Sequence, residues 1–417
     1  MTGDRSRPMR LVLTAVAAIV SVPSRTWSFV VARFRTRRKE KVASALLVLV
    51  VLVGFVSWAL LGGGPTGRSA PGNASQPAPS TPGAPPFQTP GGAGPAVGAY
   101  DAVTCSSATS CLAVGADAAG GGVTATSSNG GSSWQSHAVP ASTPELDAVA
   151  CSSTSHCVAV GAHSALTTSD GGNTWAPHLV PDSAVTLLGV ACANGNDCVA
   201  SGIVAGAGNP YGGKLFSSTD GGTTWSLASV VAPDAPLAGV TCSTASRCIA
   251  VGDTVLTSDD AGRTWQQRTV DGGMGWLRSV TCSTALACIA VGPNAKGSVD
   301  PAAAADAIAT SDGGDTWHQV ALPAGTAPIE RISCGSPQAC VAAGPGVTPQ
   351  QAPAYVTSSD GGGHWGPAAS PNGMTAIADV ACVSSTHCLA VGRDGSGAET
   401  SVTSDGHTWT TTQAAQA

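Results

Sequence analysis

Aromatic side chains make up 4% of this 417-residue chain and charged ones 11%. A core of large rings is thereby excluded. Ala, Gly, Val, Ser and Thr must supply it, and small and β-branched side chains suit closely stacked sheets better than helices. Helical periodicity is nearly absent after residue 62. Metal-site spacing is lacking as well: cysteine pairs are not grouped with a second pair or with histidines to complete four zinc ligands, and no EF-hand loop surrounds the adjacent Asp259 and Asp260. No metal and no cofactor is expected.

Charge is unevenly placed. Residues 1–41 carry ten Arg or Lys against Asp4 and Glu40, giving +8; the rest carries nine basic against 23 acidic residues, giving −14, and the two sum to the net −6. A mildly acidic body has no electrostatic footprint for nucleic acid. The basic end has another use. Val42 to Leu61 is twenty residues without a charge, long enough to span a bilayer as one helix, and Arg33, Arg35, Arg37, Arg38, Lys39 and Lys41 lie just before it. The expected organisation is a basic cytoplasmic segment 1–41, a single transmembrane helix 42–62, a Pro/Gly/Ser-rich linker 63–98, and an extracytoplasmic domain 99–417. The shorter apolar run Leu11–Val22 reads either as a second helix or signal-peptide core, or as an interfacial segment on the inner leaflet.

All fourteen cysteines fall in the last region, as Cys105/Cys111, Cys151/Cys157, Cys192/Cys198, Cys242/Cys248, Cys282/Cys288, Cys334/Cys340 and Cys382/Cys388, each pair six apart. One pair per repeat at constant spacing implies seven local disulfides and an oxidising compartment. The same side of the membrane follows from the basic run, by an argument sharing no residue with this one.

Between the pairs lies a second repeated unit. Thr168 to Trp175 reads TSDGGNTW, and near copies end at Trp134, Trp225, Trp265, Trp317, Trp365 and Trp409. Each reads as a hairpin turn built on Asp170, Asp220, Asp260, Asp312, Asp360 or Asp405, with Asn129 in the first copy. The carboxylate accepts backbone amides of its own turn, Gly takes positive φ, and Trp returns the chain into a packed layer. Asn129, His364 in place of Thr, and the shortened seventh copy are expected to give looser turns. Four short strands per repeat follow, with cysteines flanking the first turn and the Asp motif forming the third.

Length variation is confined to one place. From the Asp-motif acid, or Asn129, to the next first cysteine the interval is always 22 (129 to 151, 170 to 192, 220 to 242, 260 to 282, 312 to 334, 360 to 382), whereas second cysteine to acid ranges from 12 (248 to 260) to 24 (288 to 312). Nearly all variation therefore sits between the second and third strands. In a ring of four-stranded sheets that connection opens on the face opposite the disulfides, and variable loops on a rigid scaffold are where binding is found. Two residues before each first cysteine stands Val or Ile, and one before it Ala, Thr or Ser. A large residue of one sheet is thus expected to seat against a small one of the next.

The SxDxGxTW pattern resembles the Asp box, or BNR repeat, of sialidase-like propellers, and its rhythm with AVG is similar to photosystem II assembly-factor propellers. The resemblance covers about residues 100–412 and implies an all-β fold: a seven-bladed β-propeller with four-stranded blades, here preceded by one transmembrane helix. It implies no activity, because Asp boxes lie remote from the active site in that family. A sialidase-like hydrolase would need an arginine cluster, a Tyr activated by Glu, and an acidic proton donor; the Arg-Ile-Pro motif is missing, and no catalytic residue is assigned.

For ligand contact the variable-loop face offers Trp276 beside Arg278; Asn209, Tyr211 and Lys214 in the long third-repeat connection; Tyr355 in the sixth; and Glu330 with Arg331. An aromatic with polar neighbours suits sugar or peptide contact. Equally, Trp276 reads as cover for a sheet edge. The expected function is that of a binding or scaffolding module at the cell surface, its partner an unknown envelope protein or glycan. The alternatives are a glycan-directed hydrolase, which gathering of Arg278, Arg331, Glu330 and Tyr211 or Tyr355 in one pocket would favour, and an assembly factor for a membrane complex.

Overall fold

A computed structural model describes residues 97–413 apart from 205–211, 231–234, 294–305, 324–325, 327, 346–352, 368, 371–373, 394–397 and 404–407. The expected cytoplasmic segment, membrane span and most of the linker lie outside the described residues, among which no helix is long and apolar enough to cross a membrane. The first strand begins at Val97, two residues inside the stretch read as linker.

The described residues form seven sheets in chain order. In the second, Ala148–Cys151, Cys157–Gly161, Ser164–Thr168 and Ala176–Leu179 pair in sequence and antiparallel. Five of the sheets have four strands. The fourth gains a fifth strand because Ser229–Val230, following the third sheet, adds parallel to Thr264–Arg268. In the sixth, Arg331–Cys334, Cys340–Gly344 and Ala354–Ser358 are joined at the outer edge by a bridge from Tyr355 to Ala369 and by the Gly366 amide donating to the Thr357 carbonyl at 2.8 Å.

No core lies inside any one sheet. Among the described residues the hydrophobic clusters number seven, and each is shared by two neighbouring sheets. Val190 of the third sheet packs with Ala150 of the second, Val240 of the fourth with Ala191 of the third, and Val103 of the first with Ala381 of the seventh. The large-against-small expectation for the first strands is met in this way. The last interface closes the ring, since Leu389 and Val391 of the seventh sheet pack with Tyr100 and Val103 of the first. The fold is an all-β propeller, with the first strand of each sheet innermost.

All seven cysteine pairs are disulfides, each between directly opposed residues of the first two strands. The cysteines also serve in packing. The second member of each pair, Cys111, Cys157, Cys198, Cys248, Cys288, Cys340 or Cys388, is at most 3% exposed and belongs to one of the interface clusters. The reason is its place at the head of the second strand, which is covered on both faces by neighbouring sheets, as in Cys157–Gly161 and Cys248–Gly252. Its partner on the first strand stays half-buried. These second cysteines are therefore part of the packed core and are closed to a ligand.

The Asp turns lie beside the disulfides on the same face: the Gly171 amide donates to the Ser155 carbonyl at 2.9 Å, and Gly221 to Asn196 and Gly313 to Leu286 at 2.8 Å. In the second turn Thr168 Oγ1 and the Thr174 amide donate to Asp170 Oδ1 at 2.7 and 2.9 Å, and Thr174 Oγ1 donates to Oδ2 at 2.6 Å. Gly171 and Gly172 take φ of 75° and 97°. The turn then delivers Trp175, whose Nε1 donates to the Gly172 carbonyl at 3.1 Å, into the cluster between the first and second sheets.

Two expected departures prove different. Asn129 keeps the turn intact: its Oδ1 accepts from Ser127 Oγ and the Ser133 amide at 2.9 Å, and its Nδ2 donates to Ser133 Oγ at 2.8 Å, reversing only the last bond. His364 replaces Thr through Nδ1, 2.6 Å from Asp360 Oδ2. The slack appears one residue later, because the buried Nε1 atoms of Trp365 and Trp409 have no partner. Most of the seventh copy, with Asp405, lies outside the described residues.

Candidate functional site

The inner strands enclose a channel of about 300 Å³ lined by residues of all seven sheets. Counting back from each first cysteine explains its chemistry. At the third position stand Ala102, Ala148, Gly189, Gly239, Ser279, Arg331 and Asp379; at the fourth stand Asp101, Asp147, Leu188, Ala238, Arg278, Glu330 and Ala378. Small residues leave the bore open, and the charges gather at the end away from the disulfides. Asp147, Arg278, Arg331 and Asp379 line the cavity.

The arginines are paired, at long range. Arg278 Nη1 lies 3.4 Å from Glu330 Oε2, and Arg331 Nε 3.7 Å from Asp379 Oδ1. The guanidinium of Arg278 also sits 5.1 Å over the Trp276 ring, a cation–π distance. Its Nε and the Trp276 Nε1 are buried without a hydrogen-bond partner. Asp306 fixes the approach to this pair by accepting the Gly275 amide.

Burial sets the acid–base character. It lowers the Arg278 pKa, with Glu330 opposing. It raises that of Asp379, against Arg331 and the Val103 amide. Asp147 is pushed up to about 7 by burial, then by the nearby carboxylates of Glu145 and Asp101; the Ala162 amide and Arg331 pull the other way. Ala162 occupies the tight turn of the second sheet with φ of 42°, between the strands ending at Gly161 and starting at Ser164, so a short connection is what holds Asp147.

Of the residues expected to contact ligand, Trp276, Arg278, Glu330 and Arg331 are brought together here. Tyr355 is not: it is a strand residue, buried against Trp409 with ring centroids 5.3 Å apart. The continuous apolar run Ala354, Tyr355 and Val356, buried on both faces, takes it into the sheet interface rather than onto a loop. Lys214 is half-buried in the third strand of its sheet, paired with Gly202. Asn209 and Tyr211 lie outside the described residues. Asp147 and Asp379 were missed, although charges at positions where other repeats have Ala or Gly were a usable signal. His156 and Arg247, each inside a disulfide-closed turn, tie neighbouring sheets: His156 Nε2 is 2.9 Å from the Gly221 carbonyl, and Arg247 Nε donates to Gly313 O at 2.8 Å. Among the described residues no group of acidic, His or Cys side chains is placed to hold a metal ion.

Site and scaffold together define a propeller with a charged channel mouth. No family model matches the chain. No curated protein matches it either. Solved structures similar to it include YCF48 from Cyanidioschyzon merolae, 14% identical with a TM-score of 0.50 over 73% of this chain and 95% of that one. The WD40 β-propeller domain of Doa1 is 10% identical, with a TM-score of 0.51 over 74% and 93%. YCF48 bound to D1 peptide is 18% identical, with a TM-score of 0.48 over 64% and 81%. At such identities the likeness speaks to the fold alone.

Proposed function

We propose that the chain is a membrane-anchored, extracytoplasmic, seven-bladed Asp-box propeller acting as a binding or scaffolding module in the cell envelope. Seven sheets and seven turn motifs support taking each sheet as a blade. The uncharged stretch 42–62 behind its basic run supports the anchor, and the disulfides support the oxidising side. One observation carries the binding reading: charged residues from four separate sheets converge on one channel whose opposite face is locked by disulfides and Asp turns. The partner is an envelope protein, whether a lone target or a complex under assembly, or a glycan.

The test uses the full-length, oxidised protein in detergent as bait for an envelope extract, with retained protein and glycan scored separately. Arg331→Ala and Trp276→Ala are compared with Thr154→Ala on the disulfide face. Capture lost in the first two and kept in the third supports the reading; equal capture by all overturns it.

A second reading draws on Asp147. A carboxyl ionising near neutrality across the channel from Arg278 and Arg331 is what a glycan-directed hydrolase needs as proton donor. Sugar released by the wild type and not by Asp147→Asn would place this reading first.

A further inference from the structure

The sheets follow one another around the ring, so the charges on the channel wall are separated by arc. Asp147 belongs to the second sheet, Arg278 to the fifth and Arg331 to the sixth; between them the third and fourth sheets contribute Leu188, Gly189, Gly239 and Val240. The wall therefore reads acidic, then small and apolar, then basic.

The other acids are already engaged. Asp379 accepts the Val103 amide at 2.9 Å and faces Arg331, and Glu330 faces Arg278. Both arginine–carboxylate contacts exceed hydrogen-bond length, Arg331 Nη1 donating only to the Glu330 carbonyl at 3.2 Å, and Arg278 Nε is buried without a partner. The long carboxylate contacts leave guanidinium donor capacity for an acceptor arriving from the channel. Asp147 makes no ion pair among the described residues and is held by one backbone amide. The lining carries charges of both signs set apart around the ring, which suits a ligand with separated poles. A volume of about 300 Å³ is at the small end for ligand sites.

We propose that the channel mouth binds a small zwitterion, an α-amino acid or short peptide, its carboxylate on Arg278 and Arg331, its ammonium on Asp147 and its apolar middle along the third and fourth sheets. This rests on the binding-module reading and names the ligand class of that site. Guanidinium and carboxylate form charge-assisted, geometrically selective pairs, and the ammonium restores to Asp147 an ion pair it lacks. Bound ammonium favours ionised Asp147, which faces Glu145 and Asp101 on its own side and Arg331 and Arg278 across the bore. Binding near neutrality therefore expels a proton.

Calorimetry on the full-length protein in detergent tests this with three probes: dialanine, N-acetyldialanine and dialanine amide. Dialanine is expected to bind, each blocked form about tenfold or more weaker, since each loses one ion pair worth of order 1.4 kcal/mol per tenfold. Asp147→Asn should reduce dialanine to the level of the N-acetyl form and leave the N-acetyl form unchanged, with near-ultraviolet dichroism confirming the fold. Dialanine should bind about tenfold more weakly at pH 5.5 than at pH 7, where Asp147 is half ionised. Equal binding of dialanine and its N-acetyl form, or no heat with millimolar dialanine, overturns the proposal. Should dialanine fail while envelope capture still depends on Arg331, this inference falls and the binding-module reading stands.

Discussion

Asp379 Oδ2 accepts the backbone amide of Val103 at 2.9 Å, across 276 residues of chain, and so ties the last sheet to the first. The same carboxylate faces Arg331 of the sixth sheet. Similar lateral bonds recur between inner strands: Ser333 Oγ accepts the Cys382 amide at 2.9 Å, and Ser279 Oγ the Ile332 amide at 3.3 Å. The ring closes by packing and by these bonds, with no strand exchanged among the described residues.

Asp379→Ala leaves the Val103 amide and Arg331 without their acceptor. A loss of about 2 kcal/mol is expected, read from the urea midpoint, because bonds to charged groups count for roughly 1.5–3 kcal/mol. Ser333→Ala, removing one neutral acceptor, should cost about 1 kcal/mol. Equal losses from the two would deny Asp379 its closing role.

Asp147 predicts an unusual pH profile. Its folded pKa, about 7, lies above the usual carboxylate value, so the folded state holds the proton more tightly than the unfolded chain. Stability from this group is therefore fullest below about pH 4 and declines as pH rises to about 7. Asp147→Asn should flatten that decline and raise the urea midpoint at pH 8, with little change at pH 4.

The Asp turns act in the opposite sense. Against a desolvation penalty, bonds from Thr174 and Thr168 bring the Asp170 carboxyl down to about 2. Its stabilising contribution is present above about pH 4 and is lost as pH falls toward 2. Asp312→Ala, in an equivalent turn, should cost about 1–2 kcal/mol at pH 7, as loss of a cap does. Asn129→Asp should be neutral within about 0.5 kcal/mol, since Ser133 Oγ can donate where it now accepts. Thermal melts of both variants check this.

The fourth turn carries its own strain. Ala261 has φ of 59° where the other five full-length copies have Gly. Left-handed backbone costs a Cβ-bearing residue roughly 1–2 kcal/mol, and glycine gives back part of that as unfolded-state entropy. Ala261→Gly should stabilise by about 0.5–1 kcal/mol in urea titration.

Reduction offers a broader check. Each disulfide closes a ring spanning six residues and is expected to contribute roughly 2 kcal/mol. Replacing Cys151 and Cys157 together by Ser should lower the urea midpoint by at least that amount, since a hydroxyl at 157 is also set into a buried apolar cluster. A reductant acting on all seven should lower it far more.

What could be read in the chain was local. Cysteines six apart and an Asp four residues before a Thr specify their own hairpins wherever they occur, so Cys151–Cys157 and Asp170–Thr174 were legible without knowledge of their surroundings. The burial of Cys198 or Cys288 was not, because it takes a second sheet to cover them. Trp276, Arg278, Glu330 and Arg331 were found because they stood out in composition. Asp147 and Asp379 were not, because their meaning comes from the ring: each sits on a different sheet, and only closure brings 147 within electrostatic reach of 331. Tyr355 failed for a related reason, since its packing on Trp409 depends on a neighbouring sheet.

Each sheet is also made almost wholly from one unbroken stretch of chain. Duplicating or deleting such a stretch in the gene adds or removes an entire wedge with its own clasp, its own turn and one new seam. The channel then widens or narrows by one inner strand. In a molecule assembled this way, the size of what fits at the centre is a quantity that inheritance can change in whole-number steps, without any intermediate in which a sheet is left half built.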